Sequence, residues 1–144
     1  MTTRAPGIYL VQGVFFQQRT NLGIEIVAIK GAVPVFREEQ VRDMFAGVIF
    51  WDVQTADWMG NFEDQVGPSS LGDVDFQTDW LCFDKYYISG QGGRIHYEFN
   101  LAGGGLWVGQ FSGAEVGNGN ANCVITPLPK GMLEPMSSPG HEAN

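Results

Sequence analysis

Residues 79–126 read DWLCFDKYYIS (79–89), GQGG (90–93), RIHYEFNL (94–101), AGGG (102–105), LWVGQFS (106–112), GAEVGNGN (113–120) and ANCVIT (121–126). Apolar and polar residues alternate within the longer segments, which puts the apolar ones on one face of a strand. The Gly- and Asn-dense breaks permit the positive φ angles that tight reversals need. The pattern predicts an antiparallel β meander.

Working upstream, residues 7–18 (GIYLVQGVFFQQ) and 23–36 (GIEIVAIKGAVPVF) are rich in Ile, Val and aromatics. They read as two strands joined by a break at 19–22. Pro34 cannot donate to a ladder, so the second strand should end, bulge or lie at an edge there. In residues 37–45 (REEQVRDMF) the period changes: Val41, Met44 and Phe45 fall at i, i+3 and i+4 among charges, predicting one short amphipathic helix docked on the sheet or across a barrel end. Residues 48–53 and 58–62 return to strand character, and a polar loop with Gly67, Pro68, Ser69, Ser70 and Gly72 leads into the meander. Beyond Thr126, Pro127, Pro129, Pro135 and Pro139 predict a mobile tail over 128–144 behind a single domain over 1–127.

An echo recurs on three strand faces: Val11/Gly13/Phe15, Trp58/Gly60/Phe62 and Trp107/Gly109/Phe111. Glycine inside a strand marks a bend, a bulge or a close approach to the backbone. Three such strands predict strong coiling, and a closed sheet would also remove exposed edges.

The chain has 144 residues, 44% of them hydrophobic, which suits one domain with a core of its own. Its 20 glycines fit many short strands joined by turns. A formal charge of −8, with no Lys/Arg cluster to offset it, repels phosphate backbones and anionic membrane surfaces. Neither nucleic acid nor a membrane is therefore expected as a partner. The N-terminal residues carry no signal-peptide pattern and no run approaches a membrane span, so the expectation is a soluble, cytoplasmic protein. Cys82 and Cys123 lack C-x-x-C spacing and paired histidine ligands. They read as two reduced thiols acting as small hydrophobes, with a disulfide possible only if they face each other across adjacent strands.

No G-x-S-x-G elbow, P-loop or H-E-x-x-H helix occurs, and the glycine clusters lie between strands, as turn glycines do. The acidic residues Glu63, Asp64, Asp73, Asp75 and Asp79 lack the spacing of a Ca²⁺ loop and read as a solvated loop. No metal and no cofactor is expected. In strand 79–89, Asp84 shares a face with Trp80, Cys82, Tyr86 and Ile88, while Lys85 shares the other with Leu81, Phe83 and Tyr87. A carboxylate among aromatics is how a general acid or a polar ligand anchor is built, so Asp84 leads the candidates. The plainer alternative has one face solvated and Lys85 snorkelling. In 94–101, His96 and Glu98 are i, i+2 neighbours beside Arg94 and Asn100, opposite Ile95, Tyr97, Phe99 and Leu101. They form either an acid/base pair or simply the solvated side of a half-buried strand.

The fold class expected is all-β: a small antiparallel barrel of roughly eight to ten strands with one short helix. In outline this resembles the calycin type of barrel, which includes lipocalins and avidins. The likeness is architectural: the lipocalin G-x-W opening is represented only by Gly7-Ile8-Tyr9, and no motif carries residues across. Three functions stay open. The first is a non-catalytic barrel binding a small apolar or aromatic molecule, lined by Trp58, Trp80, Tyr86, Tyr97 and Trp107 and anchored by Asp84. The second is a cofactor-independent isomerase, dehydratase or hydrolase using Asp84 or His96/Glu98. The third is an interaction or assembly module using an exposed patch or sheet edge.

Overall fold

Alternation carries the chain through β1 (Ile8–Val27), β2 (Gly31–Asp52), β3 (Asp57–Asp64), β4 (Gly67–Phe76), β5 (Trp80–Tyr87), β6 (Ile95–Leu101), β7 (Leu106–Gly113) and β8 (Gly117–Pro127). Each strand pairs antiparallel with the next, and β8 returns to β1 to close an eight-stranded barrel. The computed structural model describes residues 4–27 and 31–129, with the backbone alone over 18–27 and 31–41. Most of the predicted tail, residues 130–144, lies outside the described residues. Among those described, no helix is long and apolar enough to cross a membrane.

The first hairpin departs from expectation. The proposed break at 19–22 is continuous strand, because β1 runs unbroken to Val27 opposite Gly31; residues 28–30 lie outside the described residues. The helix expected at 37–45 is also strand, paired with residues 13–21 of β1. A two-turn helix cannot nucleate alone, and its charged and apolar residues serve equally well in a ladder. β8 pairs with β1 only over Tyr9–Phe16, and β3 with β2 only over Ala46–Asp52. Beyond those rungs the hairpin is a two-stranded ribbon that leaves the barrel by about 35 Å at ~3.3 Å per residue. Pro34 lies on this ribbon, where β2 has an edge unpaired among the described residues, as a residue without an N–H requires.

The loop expected at 67–72 is likewise strand. Ser69 and Leu71 point inward, the register then shifts between Gly72 and Asp75, and Val74 and Phe76 take over the inner face. This bulge, with Asp73 at φ 49°, switches the inward parity from odd to even and so hides the strand from a period-two reading. Gly90, Gly92, Gly93, Gly104, Gly105 and Gly117 have the positive φ expected of turn glycines, whereas Gly119, expected in the same break as Gly117, lies within β8 opposite Phe111.

All three echo rows face inward, and their glycines sit where a neighbouring strand comes close. A Cβ on Gly109 would lie 1.9 Å from the Glu98 carbonyl, and one on Gly13 would lie 2.4 Å from the Phe45 ring. In register, Gly13 opposes Phe45, Gly47 opposes Phe62, Gly109 opposes Phe99 and Gly119 opposes Phe111. A ring from one strand thus fills the space its partner's glycine leaves, which combines tight strand approach with a dense interior. Phe83, Tyr97 and Phe99 stack in sequence, with Phe83 and Tyr97 centroids 5.1 Å apart. One barrel end is shut by the N-terminal segment. Arg4 donates its backbone N–H to Phe76 O and its guanidinium N–H groups to the carbonyls of Gln77 and Thr78, while its cation lies 5.1 Å from the Phe76 ring and 5.3 Å from the Trp107 ring.

Candidate functional site

The inward rows are apolar from the Arg4 end to the barrel's middle and turn polar at the ribbon end. Two residues beyond Phe15 on β1 stands Gln17; two before Phe45 on β2 stands Asp43; two after Phe62 on β3 stands Asp64; two after Phe83 on β5 stands Lys85, followed by Tyr87. Of these, Gln17, Asp43, Lys85 and Tyr87 line a pocket of about 340 Å³ that opens beside the departing ribbon, and Asp64 is bonded to Lys85 and Tyr87. Phe15, Tyr97 and Phe111 line its depth, and Gln65, Glu115 and Val116 come from the adjacent turns.

Lys85 is 1% exposed, a charge taken almost wholly out of water. Its Nζ lies 3.2 Å from Asp64 Oδ2 and donates to the Tyr87 hydroxyl at 2.9 Å; that hydroxyl donates to the same Asp64 oxygen at 2.5 Å. The ammonium also sits 4.4 Å from the Tyr87 ring centroid, 5.0 Å from Tyr97 and 5.4 Å from Phe15. An ammonium taken out of water needs this company. Burial nevertheless holds the Lys85 amine below its ordinary pKa, with the Asp64 charge and hydrogen bond, and more weakly the Asp43 charge, opposing. Burial, reinforced by the bond to Asp64, pushes the Tyr87 hydroxyl well above the usual tyrosine range, so it stays a donor. Burial pushes Tyr97 up as well.

Asp43 is positioned differently. Its Oδ1 accepts the Met44 backbone N–H at 2.8 Å, but its Oδ2 is shut off from solvent and accepts no hydrogen bond. An unpaired buried acceptor costs about 1–3 kcal/mol. The pocket wall therefore carries a carboxylate oxygen with unused capacity beside a buried amine. Gln17 spans the mouth, donating its amide to the Val116 carbonyl.

The residues expected to line a cavity do not converge. Trp58, Tyr97 and Trp107 face inward, but Trp58 and Trp107 belong to the packed core near the Arg4 end; only Tyr97 reaches the pocket. Trp80, Asp84 and Tyr86 lie on the outer face. The face assignments within 79–89 are as expected, but the inward side is that of Lys85, so Lys85 does not snorkel to solvent and Asp84 is not a cavity anchor. Asp64, expected in a solvated loop, is the buried partner of Lys85.

On the outer face Asp84 stands opposite His96, and Glu98 follows two residues on. His96 Nδ1 lies 2.8 Å from Asp84 Oδ1, and Nε2 lies 3.0 Å from Glu98 Oε2. Two carboxylate acceptors require an N–H on both ring nitrogens, the imidazolium form. The hydrogen bond that His96 donates to Asp84 raises its pKa most, burial opposes the rise, and the bond to Glu98 adds to it. With the His96 side chain 40% exposed, this is a solvent-facing ion triad.

Cys123 faces the core and Cys82 the outside, and both are free. Burial raises their pKa values to about 12 and about 11, so both remain thiols. Among the described residues no cluster of His, Cys, Asp and Glu is arranged to hold a metal ion. No known protein family, curated protein or solved structure matches this chain.

Proposed function

We infer that the protein binds a small molecule in the ribbon-end pocket, the ligand having an aromatic or apolar body and a hydrogen-bond-donating head group such as an amine. The observation that carries this reading is the unpaired Asp43 Oδ2 in the wall of a pocket whose depth is lined by Phe15, Tyr97 and Phe111. A pocket of about 340 Å³ with few convergent polar groups has the size and character of a small-ligand site. Lys85 is already neutralised by Asp64, which leaves Asp43 to set the charge preference; Phe15 and Phe111 would hold the ligand's body. The two free thiols suit a reducing compartment, and we place the protein in the cytoplasm on that ground.

The test is saturation-transfer NMR with phenethylamine and phenylacetate as matched probes. Phenethylamine should receive saturation and phenylacetate should not, and Asp43→Asn should abolish the difference. Equal response to both probes, or to neither at millimolar concentration, would overturn the reading.

A further inference from the structure

The edge of β2 on the ribbon is bounded on both sides. Ala46 is the first residue that β3 covers, and Pro34 lacks the N–H that a ladder needs. Between them residues 35–45 (VFREEQVRDMF) pair with β1 on one side and with no described strand on the other. A two-stranded ribbon is marginal in water, and an open edge is a template for another strand.

The sequence of this edge is self-complementary. The midpoint between Pro34 and Ala46 is Gln40. If a second copy pairs antiparallel across a two-fold axis at that residue, Arg37 meets Asp43 and Glu38 meets Arg42, while Val35 meets Phe45 and Phe36 meets Met44. Opposite charges and apolar pairs directly across strands are the stabilising combinations. Only Glu39 opposite Val41 is unmatched. Within the hairpin the residue directly opposite Glu38 is Thr20 and the one opposite Arg42 is Phe16. Arg42 and Met44 are exposed, Met44 at 75%. The outer edge of β1 offers no such match: the two-fold register that pairs Arg19 with Glu25 sets Gln17 and Gln18 against Val27 and Ile26.

We propose that residues 35–45 are a dimerisation edge, which joins the ribbons of two copies of this chain into a four-stranded sheet β1–β2–β2–β1 about a two-fold axis at Gln40. Such an isologous contact closes on itself and leaves both barrels closed. The proposal rests on the ribbon's register and not on the pocket's ligand, although it sets Arg37 of one copy opposite Asp43 in the pocket wall of the other.

The experiment is native mass spectrometry and sedimentation equilibrium on the full chain. Wild type should be dimeric at micromolar concentration. Arg42→Glu and Glu38→Arg should each weaken the dimer by about tenfold or more, since each turns two symmetric attractions into repulsions. Mixed one to one, the two variants should form a heterodimer, because both 38–42 contacts are then of opposite sign; that rescue also requires both to be folded. Independently, mild oxidation should link Gln40→Cys into a covalent dimer but leave Gln18→Cys, on the far strand of the ribbon, unlinked. A monomeric wild type, a dimer indifferent to Arg42→Glu, or failure of both the mixing and the cross-linking would overturn the proposal.

Discussion

Replacing Lys85 by Met removes the cation from the barrel and leaves the Asp64 carboxylate, whose side chain is 1% exposed, with the Tyr87 hydroxyl and the Val66 backbone N–H as its remaining partners. At 3.2 Å the lost attraction is about 5 kcal/mol for an effective dielectric of ~20. Stranding one member of a buried ion pair costs ~3–5 kcal/mol. Tyr87 still donates to Asp64, so Lys85→Met should lie near the low end, about 3 kcal/mol. The double variant Lys85→Met/Asp64→Leu strands no charge and should return to within about 1–2 kcal/mol of wild type, the residue being the Tyr87 hydroxyl left without its acceptor. Urea denaturation at pH 7 of wild type, both single variants and the double variant gives the coupling directly. A cost for Lys85→Met below about 1 kcal/mol would refute the reasoning, as would a double variant no more stable than Lys85→Met, because either result would mean that water reaches the pair.

Three further outcomes follow from the same geometry. Since the folded-state pKa of Lys85 is depressed, between that value and 10.5 the unfolded chain holds a proton that the folded chain does not; stability should rise with pH through this window in wild type relative to Lys85→Met, measured as urea midpoints. The raised pKa of His96 acts in the opposite sense: its stabilisation is complete below 6.5 and is lost as pH rises through the folded value. An NMR titration should therefore place His96 above 6.5, with Asp84→Asn bringing it down, and a wild-type value at or below 6.5 would contradict the ion triad. Gly109→Ala should lower stability by about 3 kcal/mol, because its Cβ meets the Glu98 backbone rather than a movable side chain; a thermal melt unchanged from wild type would contradict the close approach.

The barrel was legible from Asp79 onward because the rows Leu81/Phe83, Ile95/Tyr97/Phe99 and Trp107/Phe111 keep strict alternation between glycine turns. β4 was not, since its bulge changes parity midway and its first half is Gly, Pro and Ser. Residues 37–45 misled because Val41, Met44 and Phe45 satisfy a helical stripe, while Asp43 and Phe45 continue the inward row of Ile49 and Gly47. At the site, alternation divided Asp84 from Lys85 correctly but could not say which side was inside, since both faces of 79–89 are apolar. The signal that could have decided it was the echo: carrying Val11/Gly13/Phe15 and Trp58/Gly60/Phe62 two residues further reaches Gln17, in the pocket wall, and Asp64, the buried partner of Lys85. Asp64 inside the barrel in turn calls for a buried cation, and Lys85 follows two residues after Phe83.

The seam between β1 and β8 joins Tyr9 to Pro127, the two ends of the barrel's own sequence. Every other pairing is between consecutive strands and can form as the chain emerges, beginning with the long first hairpin. During synthesis the growing sheet is therefore an open, curling ribbon whose aromatic inner face and two free edges stay uncovered until the last strand arrives. Closure is a single late event, and it costs the loop entropy of nearly the whole chain at once. Cys123 and Ala121, carried on that final strand, seal the interior, and a nascent barrel halted before Gly117 would present to a chaperone what the finished one hides.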